Sequence, residues 1–231
     1  MQYPLTNSFK RIKEEIDSPN ITNKIINCHF LNYEEEKRVK SRIKRYERVG
    51  YLNVIERYID VINIDNFYFY AELKLNEYFS KLEFSIENLY SGLRLLENDY
   101  DSKLWYDGQS EEEIALWKTF RVFDTRPEIG DGKMAVFSIK EGEAPPNEPE
   151  IYFIDRETAY KTNLTFVQYY EAILDMLGMA NWQYLYTNVS FNDPVKEYLY
   201  DNIKESLNAL QKALPDKNYQ KYFDLLEARN S

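Results

Sequence analysis

Three strand-like segments precede one helix-like segment near the middle of the chain: IALWKTFRVF (114–123), KMAVFSIK (133–140), EIYFI (150–154) and LTFVQYYEAILDMLG (164–178). The first three are short and rich in aromatic and β-branched residues, which favour pleated strands. The loop EGEAPPNEP (141–149) separates the second from the third, and its prolines and glycine exclude regular structure. Together the three segments predict an antiparallel meander.

The helix after the meander carries its own start and stop signals. Thr165 and Gln168 have the spacing of a capping box, in which each side chain accepts a hydrogen bond from the other residue's backbone. Gly178 is a natural end, because glycine readily adopts the left-handed conformation that closes helices. One helical face between these signals is apolar and comprises Phe166, Tyr170, Ile173, Leu174 and Leu177.

Further strands and a helix are predicted on the N-terminal side of the meander. VINIDNFYFYA (61–71) and NEYFSKLEFSI (76–86) have strand-like patterns that indicate a hairpin or an irregular sheet edge. IENLYSGLRLL (86–96) is typical of a helix, with Gly92 as its stop.

Helices are predicted at both ends of the chain. Asp193 and Pro194 have the chemistry of an N-cap and a first turn, and the helix that they start ends at Pro215. The remaining helix-like segments are 8–17, about 33–60 and about 217–228.

The predicted elements run in the order helices, strands and helices, without βαβ alternation. This order indicates an α+β fold rather than a doubly wound sheet. We therefore predict a mainly antiparallel sheet packed by helices, with extra N- and C-terminal helices. The predicted organisation is an N-terminal helical region over 1–60 and an α+β domain over 61–231, forming one compact unit. With 231 residues, 44% of them hydrophobic, the chain can bury a sizeable core.

Negative charge is concentrated beyond residue 60. The net charge is −10, yet residues 1–60 hold 12 Lys and Arg against 9 Asp and Glu, so the rest carries −13. A body this acidic repels nucleic acid and speeds encounter with a basic protein, while the same charge also aids solubility. The basic residues between Lys37 and Arg48 alternate with apolar ones, which favours a solvated helix face over an anionic partner.

Several site classes are excluded or disfavoured by the residues present. Cys28 is the only cysteine and His29 the only histidine, which is too few for a structural zinc site. Residues adjacent in sequence seldom form a nucleophile and its base, and no phosphate-binding or nucleophile-elbow motif occurs. No apolar run resembles a signal peptide or a membrane span. We expect a cytoplasmic protein without cofactor or metal and with no membrane association.

The order of several segments resembles the SUKH superfamily, the Smi/Knr-like proteins that include many bacterial toxin-immunity proteins. IENLYSGLRLL ends in a Gly-Leu pair, and Gly130-Asp131-Gly132 precedes the strand KMAVFSIK. A variable loop leads to EIYFI, LTFVQYYEAILDMLG resembles the family's late helix, and WQYLY (182–186) follows closely. The resemblance covers roughly residues 75–188 and rests on hydrophobic pattern and order.

This resemblance implies an α+β domain with no cofactor and no catalytic residues. It also implies that the protein binds and neutralises a cognate toxin, commonly a nuclease, inside the producing cell. A basic toxin surface agrees with the negative charge of the chain. Acidic and aromatic residues of two loops, with no direct nucleic-acid contact, are the predicted partner-binding residues: Asp99, Asp101, Trp105, Tyr106, Asp107, Glu141, Glu143, Glu148 and Glu150.

Two alternatives use other features of the sequence. Abundant carboxylates and aromatics are compatible with a hydrolase that uses paired carboxylates in a sugar cleft. The N-terminal helices over 1–60 are compatible with a scaffold or regulatory protein whose partner binds there.

Overall fold

A computed structural model describes residues 4–30, 64–86, 108–138, 149–192 and 196–230, together with Asn32, Glu34, Glu35, Lys37 and Arg38. The strands in these residues are β1 (Ile21–Phe30), β2 (Ile64–Leu75), β3 (Tyr78–Ile86), β4 (Phe120–Thr125), β5 (Lys133–Ser138), β6 (Glu150–Asp155) and β7 (Thr158–Lys161). The α-helices are α1 (Pro4–Glu15), α2 (Glu111–Trp117), α3 (Phe166–Met176), α4 (Glu197–Ala213) and α5 (Gln220–Arg229). A 3-10 helix, Trp182–Tyr186, lies between α3 and α4.

The seven strands form one antiparallel sheet in the order β1 to β7, so each strand pairs with its neighbours in the chain. The predicted α+β class and the predicted meander are confirmed. β2 and β3 form the predicted hairpin, whose tight turn has Asn76 at a φ of 54°. No helix within the described ranges is long and apolar enough to cross a membrane.

Both faces of the sheet carry apolar clusters, because successive side chains of a strand point to opposite faces. The main core contains Phe67, Phe69 and Ala71 from one face of β2, packed against the helices. The α1 side chain Phe9 lies in this core, with ring centroids 4.9 Å from Phe67. A smaller cluster lies on the opposite face of the last strands, partly covered by α2, and comprises Phe120, Val122, Val136, Tyr152 and Ile154.

The prediction of a strand over 114–123, the first of the meander, is wrong for the first half of this segment. Residues 111–117 form α2, because Ser110 and Glu113 make a capping box and Glu111, Glu112 and Glu113 favour a helix N-terminus. Strand β4 then begins at Phe120. The other two segments, KMAVFSIK and EIYFI, contain β5 and β6 as predicted.

Two strands were not predicted. β1 is a largely exposed edge strand with few apolar positions facing the core, so its sequence lacks a clear period. β7 has only four residues. Both are held by backbone pairing with a stronger neighbour, β2 and β6 respectively.

The terminal helices agree with prediction where they are described. α1 contains most of the predicted 8–17 helix but starts at Pro4. α4 runs from Glu197 to Ala213, and its predicted start at Asp193 and Pro194 lies outside the described residues. Most of the predicted 33–60 helix also lies outside them, as does almost all of the helix predicted from residue 86 to its stop at Gly92.

The capping box of α3 is confirmed in detail. Thr165 Oγ1 accepts a hydrogen bond from the Gln168 backbone N–H at 3.2 Å, and Gln168 Oε1 accepts from the Thr165 N–H at 2.9 Å. Leu177 takes a left-handed conformation and Gly178 follows with a φ of 64°. The whole predicted apolar face of this helix is buried.

We expect Thr165→Ala to lower the free energy of unfolding by about 1 kcal/mol, because the Gln168 amide loses its acceptor. Thr165→Ser keeps the hydroxyl and should remain within about 0.5 kcal/mol of the parent protein. Urea denaturation followed by tryptophan fluorescence measures both. Equal midpoints for the alanine and serine variants would contradict a capping role.

Candidate functional site

Glu83 is a carboxylate buried in the sheet, 1% exposed. It accepts hydrogen bonds from the backbone N–H groups of Glu128 and Ile129, each at 2.8 Å, and from the Tyr68 hydroxyl at 3.3 Å. Burial and this carboxylate raise the pKa of the Tyr68 hydroxyl above its ordinary value. Glu83 therefore ties the turn after β4 to β3.

Asp124 is a buried residue of β4, and its carboxylate connects β4 to α3 and to β3. It accepts hydrogen bonds from the Tyr169 hydroxyl of α3 at 2.6 Å and from the Ser85 backbone N–H of β3 at 3.2 Å. Burial raises the pKa of Asp124 to about 7, although the Tyr169 hydrogen bond and the nearby Arg126 charge lower it. At neutral pH this carboxyl group is close to its titration midpoint.

Arg126 and Lys133 extend the buried polar cluster toward the segment after α3. Arg126 Nη1 donates to Asp131 at 2.8 Å, while its Nε and Nη2 make no hydrogen bond in the described part of the chain. Lys133 Nζ donates to Asn181 Oδ1 and lies 3.9 Å from Asp155. Burial lowers the pKa of Lys133. These ionisable groups contact mainly one another and the backbone, which is the arrangement of a structural network.

The described residues do not support a metal site or a catalytic pair of Cys28 and His29. There, no group of three His, Cys, Asp or Glu side chains could hold a metal ion. Cys28 and His29 are neighbours on β1, so their side chains leave opposite faces of the strand. His29 Nε2 instead lies 3.6 Å from Glu35.

A polar trough lies between the tip of the β2–β3 hairpin and the outward face of α4. Tyr78 divides it into two halves, with volumes of about 620 Å³ and 570 Å³. The Tyr78 hydroxyl bonds Ser206 Oγ at 2.8 Å, and Ser206 Oγ in turn donates to the Asn202 carbonyl oxygen. Tyr78 and Glu205 line both halves, so the two are adjacent, and we call them together the trough.

The two halves of the trough differ in charge. The mixed half is lined by acidic, basic and neutral polar side chains, which are Asp201, Glu205, Lys204, Lys212, Asn76 and Asn208. The acidic half contains carboxylates but no lysine or arginine among the described lining residues, and its side chains include Glu77, Phe79, Asn181, Asn202 and Glu205.

Three carboxylates of the trough have no partner among the described residues. Glu77, Asp201 and Glu205 are exposed and make no hydrogen bond or ion pair in the part of the chain that the structure describes. Lys204, by contrast, donates to the Tyr200 hydroxyl at 2.7 Å and lies 3.5 Å from Glu227. Lys212 is exposed and has no partner among the described residues, so three carboxylates and one ammonium of the trough are unpaired there, and this charge is mainly negative.

Large apolar side chains flank these carboxylates. Phe79 is 51% exposed and lines the acidic half. Tyr198 is 53% exposed and lies one turn before Asp201 on the same face of α4. The third large exposed apolar side chain of the described residues is Ile25, on the edge strand β1.

Among the nine sequence-predicted site residues, Glu150 lies within the described ranges and does not line the trough. Eight of the nine lie outside the described residues: Asp99, Asp101, Trp105, Tyr106, Asp107, Glu141, Glu143 and Glu148. Glu150, the ninth, begins β6, where its carboxylate accepts hydrogen bonds from Lys161 and from the Tyr152 hydroxyl at 2.9 Å. The contact role predicted for the two loops stays a prediction.

Sequence reasoning missed the trough because its two walls are far apart in the chain. The polar positions of α4, such as Asp201 and Glu205, were visible as the complement of its apolar stripe. Nothing in the sequence indicated that the hairpin residues Glu77 and Phe79 lie opposite them. The buried residues Glu83 and Asp124 were likewise indistinguishable from the many exposed acids.

Comparisons with protein-family models, with curated proteins and with solved structures find no match to this chain, so the trough is interpreted from its own residues.

Proposed function

We propose that this chain is a non-catalytic protein-binding domain that neutralises a basic partner through the trough. The observation that carries the proposal is the set of carboxylates without a partner in the described part of the chain, Glu77, Asp201 and Glu205. Carboxylates without internal partners are available for ion pairs with lysine and arginine side chains of another protein.

Aromatic side chains strengthen the case for a protein partner. Interfaces are enriched in tyrosine and phenylalanine, because these residues offer large apolar area at low entropic cost. Phe79 lines the acidic half, and Tyr198 lies one turn before Asp201 on α4, so exposed aromatic side chains lie near the carboxylates. Such a combination suits a basic surface that also carries apolar side chains.

The net charge of the protein also favours a basic protein as the partner. A net charge of −10 attracts a basic protein from a distance and raises the rate of encounter. The resemblance to SUKH immunity proteins suggests the kind of partner, a cognate toxin of the producing cell. A toxin that holds nucleic-acid phosphates presents the basic surface that an acidic inhibitor can cover.

The buried ionisable residues give no reason to prefer catalysis. Asp124 and Glu83 accept hydrogen bonds from Tyr169 and from backbone amides, which stabilises the strand ends. Tyr184 similarly donates to Asp155, and burial raises the pKa of the Tyr184 hydroxyl.

The test uses the toxin-like protein encoded beside the gene for this chain. We expect the two proteins to form a complex whose association rate falls steeply between low and high salt. Asp201→Lys combined with Glu205→Lys should weaken binding at least tenfold, because attractive pairs become repulsive. Surface plasmon resonance measures both effects, and a growth assay with the toxin measures protection.

The matched control is Glu157→Lys combined with Glu171→Lys. Both residues are exposed, both lie outside the trough, and the pair changes the net charge by the same amount. We expect this control to slow association modestly and to leave the dissociation rate unchanged. Equal losses for the two double variants would contradict the trough as the site, and absence of any toxin-like neighbour would contradict the proposed partner.

A further inference from the structure

The junction between β3 and β4 is held in part by two carboxylates. The described backbone pairing of these strands consists of two residue pairs. Asp124 of β4 accepts a hydrogen bond from the Ser85 backbone N–H of β3 at 3.2 Å. Glu83 of β3 reaches in the opposite direction, to the backbone N–H groups of Glu128 and Ile129 after β4, each at 2.8 Å. Each carboxylate therefore binds the backbone on the other side of the junction.

No basic side chain of the described residues pairs with either carboxylate. Asp124 and Glu83 are both buried, and neither forms an ion pair there. Arg126 lies two residues after Asp124, but its Nη1 donates to Asp131. The backbone N–H groups that bind Glu83 can only donate, so an ionised carboxylate is the acceptor that suits them. Burial and a second negative charge both disfavour ionisation of Asp124 beside it.

The groups that face Asp124 come from each element packed against it. On α3 the Tyr169 hydroxyl donates to its carboxylate at 2.6 Å, and on β3 the charged group is Glu83. Arg126 acts on Asp124 from the end of β4, and the residue paired with Asp124 on β5 is Ala135, which does not titrate. Burial, together with the Glu83 charge, raises the pKa of Asp124 to about 7.

We propose that the β3–β4 junction is a pH-sensitive hinge, which stays closed while Asp124 holds a proton and opens more often when Asp124 and Glu83 are both ionised. Opening admits water to both carboxylates, which removes the penalty of burying two negative charges together. The opening is local, because only the contacts that cross this junction are broken. The hinge belongs to the fold itself and does not depend on the partner proposed above.

Hydrogen exchange followed by NMR on the full chain labelled with ¹⁵N tests the hinge. The reporters are the backbone amides of Ser85, Glu128 and Ile129, with each rate corrected for intrinsic exchange at the same pH. The closed junction holds a proton that the opened junction releases, so protection falls as pH rises and levels off above the folded pKa of Asp124. We expect a fall of about tenfold between pH 6 and pH 8 and little further change above pH 8.

A local opening is distinguished from unfolding of the whole protein by its size. At every pH the three reporter amides should be protected at least tenfold less than the most protected amides of β5 and β6. Low concentrations of urea should change their protection by less than twofold, because a local opening exposes little surface. The same urea concentrations should lower the protection of the β5 and β6 amides.

Three variants assign the titrating group. Asp124→Asn cannot ionise, so reporter protection should stay within twofold between pH 6 and pH 8. Tyr169→Phe removes a hydrogen bond that favours the ionised carboxylate, so the midpoint of the fall should move up by about half a pH unit or more. Glu157→Gln changes an exposed carboxylate between β6 and β7 and is the control, which should retain the fall of the parent protein.

Two results would overturn the hinge. Reporter amides protected as strongly as the most protected amides of β5 and β6 would mean that the junction opens only with the whole protein. A pH-dependent fall that persists in Asp124→Asn would mean that another group titrates. If Asp124→Asn does not fold, Tyr169→Phe decides, since an unchanged midpoint in that variant also contradicts the role of Asp124.

Discussion

Replacing Gly178 by alanine should lower the free energy of unfolding by more than about 4 kcal/mol, which is most of the stability of an ordinary domain. A Cβ at this position would lie 2.3 Å from the carbonyl oxygen of Glu83 and 2.6 Å from its carbonyl carbon. The φ of 64° adds backbone strain for any residue other than glycine. The end of α3 would have to move away from β3.

Gly132→Ala is the matched control for this substitution. Gly132 has a φ of 72°, but no atom lies within 4 Å of the position that its Cβ would take. It therefore carries the backbone strain without the steric conflict, and we expect a loss of about 1–2 kcal/mol. Urea denaturation measures both variants, and failure of the Gly178 variant to fold agrees with the expectation. Equal losses would mean that close approach to Glu83 is unimportant.

Asp124→Asn should make stability less dependent on pH. The pKa of Asp124 is about 7 in the folded protein, above the value of about 3.9 in unfolded chains. Between these values the folded protein holds a proton that the unfolded chain releases, so the contribution of Asp124 to stability falls as pH rises and is constant above the folded pKa. The asparagine keeps an oxygen for Tyr169 or the Ser85 amide and cannot ionise.

We therefore expect the parent protein and Asp124→Asn to have similar stability near pH 4. At pH 8 the variant should be more stable by roughly 2–4 kcal/mol, since each pKa unit corresponds to about 1.4 kcal/mol. Urea denaturation over this range measures the difference. Asp201→Asn, at an exposed position without hydrogen bonds in the described residues, should leave the pH dependence unchanged. Parallel curves for Asp124→Asn and the parent would contradict the burial argument.

Local signals predicted the elements whose causes lie within a few residues. The capping box at Thr165 and Gln168 marked the start of α3, and runs of aromatic and β-branched residues marked β2, β5 and β6. Ser110 and Glu113 form the same kind of capping box before α2, whereas the apolar residues from Ile114 onward favour a strand, so the predicted strand overlaps the helix. The edge strand β1 had too little apolar periodicity to be recognised.

The candidate site depended on contacts between distant segments. Tyr78 and Ser206 are separated by 128 residues in sequence, yet their hydroxyl groups are 2.8 Å apart and divide the trough. No local pattern distinguishes Glu205, which lines the trough, from other exposed acids of the same helix. Burial in the folded protein, rather than residue type, separates Asp124 from the other aspartates.

By itself the sequence determined the α+β class, the antiparallel meander, the capped helix α3 and the concentration of acidic charge beyond residue 60. These depend on periodicity, turn residues and composition, which are local or additive. The tertiary structure alone decided that Gly178 lies against Glu83, that Asp124 is buried and bonded by Tyr169, and that Glu77 and Glu205 line the same half of the trough. Such contacts depend on how the β2–β3 hairpin packs against α3 and α4, and the free energy of that packing is shared among many residues.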